Sequence, residues 1–134
     1  MIKVLVDTSA LVALADADDR GHTAVHSWFI DHAQNVGLVL TDYVFDECMT
    51  LMKVRFGAQA ATSFGQRIRN SQFCQFVHLT PQDEASTWKI FSQYSDKDWS
   101  YTDCSCLAVM RRLGIEQALT TDHHFRQMGI TVVP

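Results

Sequence analysis

The sequence predicts an α/β fold organised on a parallel sheet. Three observations carry that expectation. Short apolar, β-branched runs alternate with longer stretches of helical periodicity along the whole 134 residues. Most helical stretches open on a Thr or Asp, and Gly residues close several of them. Acidic residues stand where strands hand over to helices, the rim at which open α/β sheets take their ligands.

Taken in order, Ile2 to Val6 reads as a buried first strand that Asp7 ends. Thr8 or Ser9 then supplies an N-cap, and Ala10 to Ala15 starts a helix. Asp16 to Arg20 is a polar break. Asp19 is expected to cap a second helix, Gly21 to Ala33, with Ala24, Val25, Trp28 and Phe29 as its apolar face. Leu38 to Leu40 is a short strand, and Thr41 caps a helix from Asp42 to about Phe56. Gly57 breaks that helix, and Ala58 to Asn70 is helical again.

Phe73 to Leu79 is the next strand. Thr80-Pro81-Gln82-Asp83 is a helix start, with a cap, a first-turn proline and an acid at the third helical position. The expected apolar side of that helix is Ala85, Trp88 and Phe91. Ser95 to Ser100 is a loop, and Thr102 is expected to cap a helix that Gly114 ends. Ala118 to Thr120 is a strand, Asp122 to Met128 a turn or short helix, and Ile130 to Val133 the last strand. No repeat, linker or low-complexity segment interrupts this order, so one domain over residues 1–134 is expected.

Composition narrows the class. With 47% apolar and 19% charged residues the chain is of globular type, and no apolar run approaches the ~18 residues of a membrane span. The first residues do not resemble a secretory signal, and a cytoplasmic location is the expectation. Cys48, Cys74, Cys104 and Cys106 have no C-x-x-C spacing and read as small hydrophobes in a reducing compartment. A net charge of −4 excludes a generic basic nucleic-acid coat. It leaves room for an enzyme with a local basic rim, for which Lys53, Arg55, Arg67, Arg69, Arg111, Arg112 and Arg126 are available.

Four carboxylates stand out by position: Asp7, Glu47, Asp103 and Asp122. Asp103 shares a helical stripe with Leu107 and Met110, and an acid on a core-facing stripe needs compensation. Two such charges ~4 Å apart repel by about 4 kcal/mol at an effective dielectric of ~20. Acids gathered on one rim therefore imply raised pKa values or a cation, and hard oxygen ligands select Mg²⁺ or Mn²⁺. Helical phase separates Glu47 from its neighbour Asp46. Glu47 falls at the edge of the stripe Val44, Phe45, Cys48, Leu51 and Met52, whereas Asp46 falls on the opposite, solvent side.

The stretches VDTSAL at 6–11, DYVFDECMTLMK at 42–53, SYTDCSCLAVM at 100–110 and LTTDHHF at 119–125 resemble the motifs of PIN domains. In length and layout the chain is similar to the VapC-type toxins of toxin–antitoxin pairs. The resemblance covers essentially the whole chain. It implies a three-layer α/β/α fold with a parallel sheet of about five strands in the order 3-2-1-4-5. It also implies Mg²⁺- or Mn²⁺-dependent cleavage of single-stranded RNA, whether tRNA, rRNA or mRNA, leaving a 3′-hydroxyl and a 5′-phosphate. A homodimer and a cognate antitoxin are the partners it implies. Carried over by motif, Asp7, Glu47, Asp103 and Asp122 are the catalytic, metal-holding acids, helped by Thr8, Ser9 or Thr121.

The alternatives are weaker. A haloacid-dehalogenase-like phosphatase needs a second Asp where Ser9 stands, and a response-regulator receiver needs a phosphoacceptor Asp near Leu79-Thr80-Pro81, which has none. A non-catalytic PIN-like module that binds RNA or protein is the remaining alternative, and all four acids being present weighs against it. His22 and His26 lack the acid of an H-E-x-x-H site and read as a polar helix face. His123 and His124 read as a solvated turn. Trp28, Trp88 and Trp99 read as core or interface, with Trp99 also considered for base stacking.

Overall fold

The computed structural model describes residues 1–134. Its elements are β1 (Lys3–Val6), α1 (Thr8–Ala15), α2 (His22–His32), β2 (Gly37–Thr41), α3 (Asp42–Phe56), α4 (Ala58–Arg69) and β3 (Cys74–Val77). They continue with α5 (Pro81–Gln93), α6 (Tyr101–Leu113), β4 (Gln117–Leu119), α7 (His124–Gln127) and β5 (Thr131–Val133). The five strands form one sheet in the order β3-β2-β1-β4-β5, and every pairing is parallel. That is the order the resemblance implies.

Parallel strands need crossovers, and the crossovers here are helices. Right-handed crossovers put α1 to α4 on one face and α5 to α7 on the other, because the chain steps outward from β1 to β3, then reverses and crosses to β4 and β5 on the far side of β1. The strands are therefore covered on both faces. Val4, Leu5, Leu40, Ala118 and Leu119 are fully buried, which explains their continuous apolar runs. The register pairs Val6 with Leu119, so Asp7 and Thr120 leave their strands side by side.

α3 begins and ends as expected. The Thr41 side chain accepts from the Val44 N–H at 3.1 Å, and Gly57 ends the helix with φ near 89°, a conformation that suits glycine. α5 starts on a capping box between Thr80 and Asp83.

Three expectations need correction. Asp7, not Thr8 or Ser9, holds the N-cap position of α1, and it makes no side-chain cap bond because its carboxylate is engaged elsewhere. Ser100, not Thr102, caps α6: its hydroxyl accepts from Asp103 N–H at 3.0 Å while Asp103 Oδ2 accepts from Ser100 N–H at 3.0 Å. α2 starts after Gly21, and Asp19 accepts from the Gly21 N–H just ahead of it.

The face of α5 also differs from expectation. Asp83, Thr87 and Ile90 turn inward, while Trp88 and Phe91 are exposed. Buried polar groups are tolerated there because each is satisfied. Arg112 Nε donates to Asp83 Oδ1 at 2.8 Å, and the Thr87 hydroxyl donates to the Asp83 carbonyl at 2.7 Å. α6 is buried along Asp103 to Met110, wedged between the main core and a smaller cluster of Ile90, Trp99, Cys104, Leu107 and Ala108. Trp99 lies in that smaller cluster, with its indole N–H on Gln127, so its ring is not free to stack on a base. All four cysteines are free thiols.

Candidate functional site

Four segments converge at the carboxyl ends of the strands. Asp7 follows β1, Glu47 lies in the second turn of α3, Asp103 is in the first turn of α6, and Asp122 lies in the loop after β4. All four line one open cavity of about 350 Å³. Asp7 and Asp103 are buried, Glu47 and Asp122 half-buried, and Asp46 is exposed on the outer side of α3, as the helix phase predicts.

Asp7 is held by a closed account of hydrogen bonds. The hydroxyls of Ser9 and Thr120 each donate to Asp7 Oδ2 at 2.9 Å. Each hydroxyl also accepts from the backbone, Ser9 from Thr121 N–H at 3.0 Å and Thr120 from Asp122 N–H at 2.9 Å. A hydroxyl has one hydrogen, so the 3.0 Å approach between Ser9 and Thr120 carries none of its own. The β1–β4 register makes this arrangement possible, and it ties the first acid to the fourth.

The three aspartates share a pattern. Side-chain donors reach Asp7 only at Oδ2. Asp103 receives Ser100 N–H and His124 Nδ1 at Oδ2. Asp122 receives the backbone N–H of His124 at Oδ1, with His124 Nδ1 3.2 Å from that same atom. Asp103 and Asp122 thus each keep one oxygen clear of protein donors, and the side-chain donors of Asp7 leave its Oδ1 free. The Thr8 hydroxyl, also lining the cavity, is a buried polar oxygen with no partner.

Burial chiefly pushes Asp7 up to about 6, with the hydrogen bonds from Thr120 and Ser9 opposing it and the charge of Asp103 adding to it. Asp103 is raised as well, mainly by burial and then by the charge of Asp122, against the hydrogen bonds from Ser100 and His124. The Cys106 thiol beneath them is pushed well above its ordinary value by burial and by the charges of Asp7, Asp103 and Glu47. One buried thiol thus feels three of the four acids.

These features fit a hard divalent cation. The donors are carboxylate oxygens, Asp103 and Asp122 keep one oxygen uncommitted, and the proton affinities of Asp7 and Asp103, raised chiefly by burial and secondarily by a neighbouring acid, mark buried carboxylates short of a counter-charge. The ligand atoms of Asp122, His123 and His124 also lie within 4.8 Å of one another. That set is less suitable, because His124 Nδ1 is already on carboxylates and His123 is exposed.

Some site residues escape the sequence reading. Thr120 contacts Asp7 through its side chain, whereas Thr121 contributes only its backbone N–H. The strand register would have found Thr120, since it stands beside Asp7 once β1 and β4 pair. His124 is half-buried between two of the acids rather than in a solvated turn; His123 is the solvated one. Asp19, Asp98 and Arg55 line the same cavity. Of the expected basic rim only Arg55 reaches it, 3.6 Å from Asp16. Arg67 and Arg69 lie over aromatic rings, and Arg111 and Arg112 line a separate cleft between α5 and α6.

Comparison with known proteins agrees with the fold. The PIN domain pattern matches residues 4–130. The 23S rRNA-specific endonuclease VapC20 of Mycobacterium tuberculosis is 33% identical over 132 residues, which span 97% of each chain. The crystal structure of VapC20, described as a sarcin-ricin loop cleaving toxin, matches with a TM-score of 0.90 at 28% identity, over 98% of this chain and 99% of that one. VapBC2 from Rickettsia felis, solved with a promoter DNA fragment, matches at 0.73 and 10% identity, covering 98% of this chain and 97% of that one. FitAcB from Neisseria gonorrhoeae matches at 0.72 and 13%, covering 98% and 96%. These last two share the fold.

Proposed function

The chain belongs to the PIN-domain family, and from that premise we propose that it is a VapC-type toxin that hydrolyses phosphodiester bonds in single-stranded segments of ribosomal RNA with Mg²⁺ or Mn²⁺. One observation carries the reading: four acids from four separate segments line one cavity, and Asp103 and Asp122 each keep an oxygen free of protein donors. A surface built only for binding RNA has no use for that concentration of negative charge, which repels phosphate. The ribosomal substrate is taken from the likeness to VapC20.

Asp7, Glu47, Asp103 and Asp122 would hold the ion. Bound there, it supplies Lewis acidity toward a phosphoryl oxygen and positive charge to match the RNA backbone. The chain's own residues do the rest. Ser9 and Thr120 fix the orientation of Asp7 through its Oδ2. The backbone N–H of Ser100 does the same for Asp103. Arg55, at the cavity wall, offers a guanidinium to a substrate phosphate. Hydrolysis forms a bond from water oxygen to phosphorus and breaks the bond to the 3′ oxygen, leaving a 3′-hydroxyl and a 5′-phosphate.

An antitoxin completes this reading. The other flank of α1 borders an apolar groove of about 370 Å³, lined by Leu11, Leu14, Phe29, Ile30, Phe64 and Ile68. An amphipathic segment laid there could extend a basic side chain into the acidic cavity. We further read residues 1–134 as one PIN domain, and the protein as a cytoplasmic homodimer. No helix is long and apolar enough to cross a membrane.

The test is cleavage of purified 23S rRNA, with Mn²⁺ or EDTA, mapped by primer extension. Mn²⁺-dependent cuts by the wild type that Asp7→Asn does not make are the expected result. Equal behaviour of the two proteins would leave the non-catalytic module as the better account.

A further inference from the structure

His124 sits between two acids, its Nδ1–H donating to Asp103 and its backbone N–H to Asp122. Its Nδ1 lies 3.0 Å from Asp103 Oδ2 and 3.2 Å from Asp122 Oδ1, and its backbone N–H donates to that same Asp122 oxygen at 2.9 Å. The ring is well enclosed, with 18% of the side chain exposed. Ionised carboxylates only accept, so Nδ1 carries the hydrogen. Asp103 belongs to the first turn of α6 and Asp122 to the loop after β4, so one imidazole joins two segments that reach the cavity separately. His123, next in the chain, has no such place: its side chain is 74% exposed and its Nδ1 is 3.8 Å from Asp122.

We propose that His124 is a positioning residue that holds Asp103 through its Nδ1–H and Asp122 through its backbone N–H and the close approach of its ring, with their uncommitted oxygens available to a divalent cation. This rests on the metal-site reading above. A carboxylate can turn about its last bond and exchange its two oxygens. Asp122 has only the His124 backbone and ring to oppose that turn, and Asp103 has only Ser100 N–H besides the ring. Without the ring nitrogen both acids are freer to turn, and the ion meets a donor set that must be reordered. Partners that orient metal ligands typically set affinity by about 10–100-fold.

Three variants separate the position of the nitrogen from the bulk of the ring. The amide nitrogen of His124→Asn can stand where Nδ1 stands, that of His124→Gln reaches toward Nε2, and His124→Phe keeps the ring with no donor. Mn²⁺ affinity is read by calorimetry on the full chain, and RNA cleavage at low and saturating Mn²⁺. Expected are wild-type-like affinity in His124→Asn and a His123→Asn control, and affinity weakened by about 10–100-fold in His124→Gln and His124→Phe. Saturating Mn²⁺ should restore cleavage in His124→Gln.

Wild-type Mn²⁺ affinity in His124→Gln overturns the proposal. So does equal impairment of the Asn and Gln variants, or cleavage that saturating Mn²⁺ cannot restore. If His124→Phe fails to fold, the Asn and Gln pair still decides. If the wild type binds Mn²⁺ but cuts no RNA, the nuclease reading falls while the affinity ranking still judges His124. If the wild type binds no Mn²⁺, both fall.

Discussion

The Thr120 hydroxyl donates to Asp7 Oδ2 at 2.9 Å and accepts from the Asp122 backbone N–H at 2.9 Å. A single oxygen thus couples the acid after β1 to the acid after β4. Thr120→Val keeps the shape and removes both bonds. It should lower RNA cleavage by at least ~10-fold at low Mn²⁺, since an unmade bond to a charged group costs about 1.5–3 kcal/mol. Thr120→Ser should retain cleavage near the wild-type rate, and an equally damaged Ser variant would contradict the account.

Asp7 has a pH signature. Its proton affinity rises on folding from the ordinary 3.8 to about 6, chiefly through burial. Between those values the folded chain binds more protons than the unfolded one, so stability from this group falls as pH rises toward 6 and stays low above it. Asp7→Asn should therefore melt higher than the wild type in EDTA at pH 7.5, by roughly 2–3 kcal/mol at most, and lose that advantage near pH 4. Mn²⁺ should raise the wild-type melting temperature more at pH 7.5 than at pH 5, where protons compete with it. Thermal melts at three pH values check both.

Asp46 and Glu47 test the phase of α3. Glu47 lines the cavity and Asp46 is exposed on the other side. Glu47→Gln should cut cleavage at least ~10-fold, within the range expected when a positioned catalytic group is lost. Asp46→Asn should leave it nearly unchanged. Rates at low and saturating Mn²⁺ separate lost metal affinity from lost chemistry.

The inward face of α5 predicts a stability effect unrelated to catalysis. Burial pushes Asp83 up, but the bonds from Arg112 and Thr80 together hold it below the usual carboxylate range. Arg112→Ala leaves that buried carboxylate without its partner. It should lower stability by about 1–3 kcal/mol in urea melts, with Mn²⁺ affinity unchanged. The pair's contribution is present at neutral pH and disappears as pH falls through the lowered value.

Exposed aromatic side chains offer a surface on which the proposed homodimer can form. Trp88 and Phe91 are 63% and 41% exposed, and their rings continue through Tyr101 to Tyr43 at centroid steps of 6.3, 5.4 and 6.4 Å. Such a contiguous patch is unusual on a free surface. For the homodimer proposed above, Trp88→Ala with Phe91→Ala should lower the mass read by light scattering to that of a monomer, and an unchanged dimer mass would place the interface elsewhere.

What the sequence conveyed follows the range of the forces involved. Thr41 with Val44, Thr80 with Asp83 and Gly57 act within one turn, so α3 and the start of α5 were legible from local spacing. The phase of Glu47 was legible for the same reason. The face of α5 was not, because Asp83 is stabilised by Arg112, 29 residues away. Nor was Thr120, whose role depends on a strand pairing that brings it 113 residues back to Asp7. The strand order itself came from family resemblance; local periodicity cannot rank strands across a sheet.

The central position of β1 has a consequence for the protein's own synthesis. β1 is made before the other elements of this fold, yet one of its two neighbours, β4, begins at Gln117, and the loop bearing Asp122 follows it. Chains grow from the amino end. A nascent chain therefore carries Asp7 throughout the synthesis of β2 to α6 without the strand that brings Asp122 beside it. On the nuclease reading proposed above, the four acids come together only after the loop bearing Asp122 has emerged, so the topology holds back assembly of the site until β4 is in place.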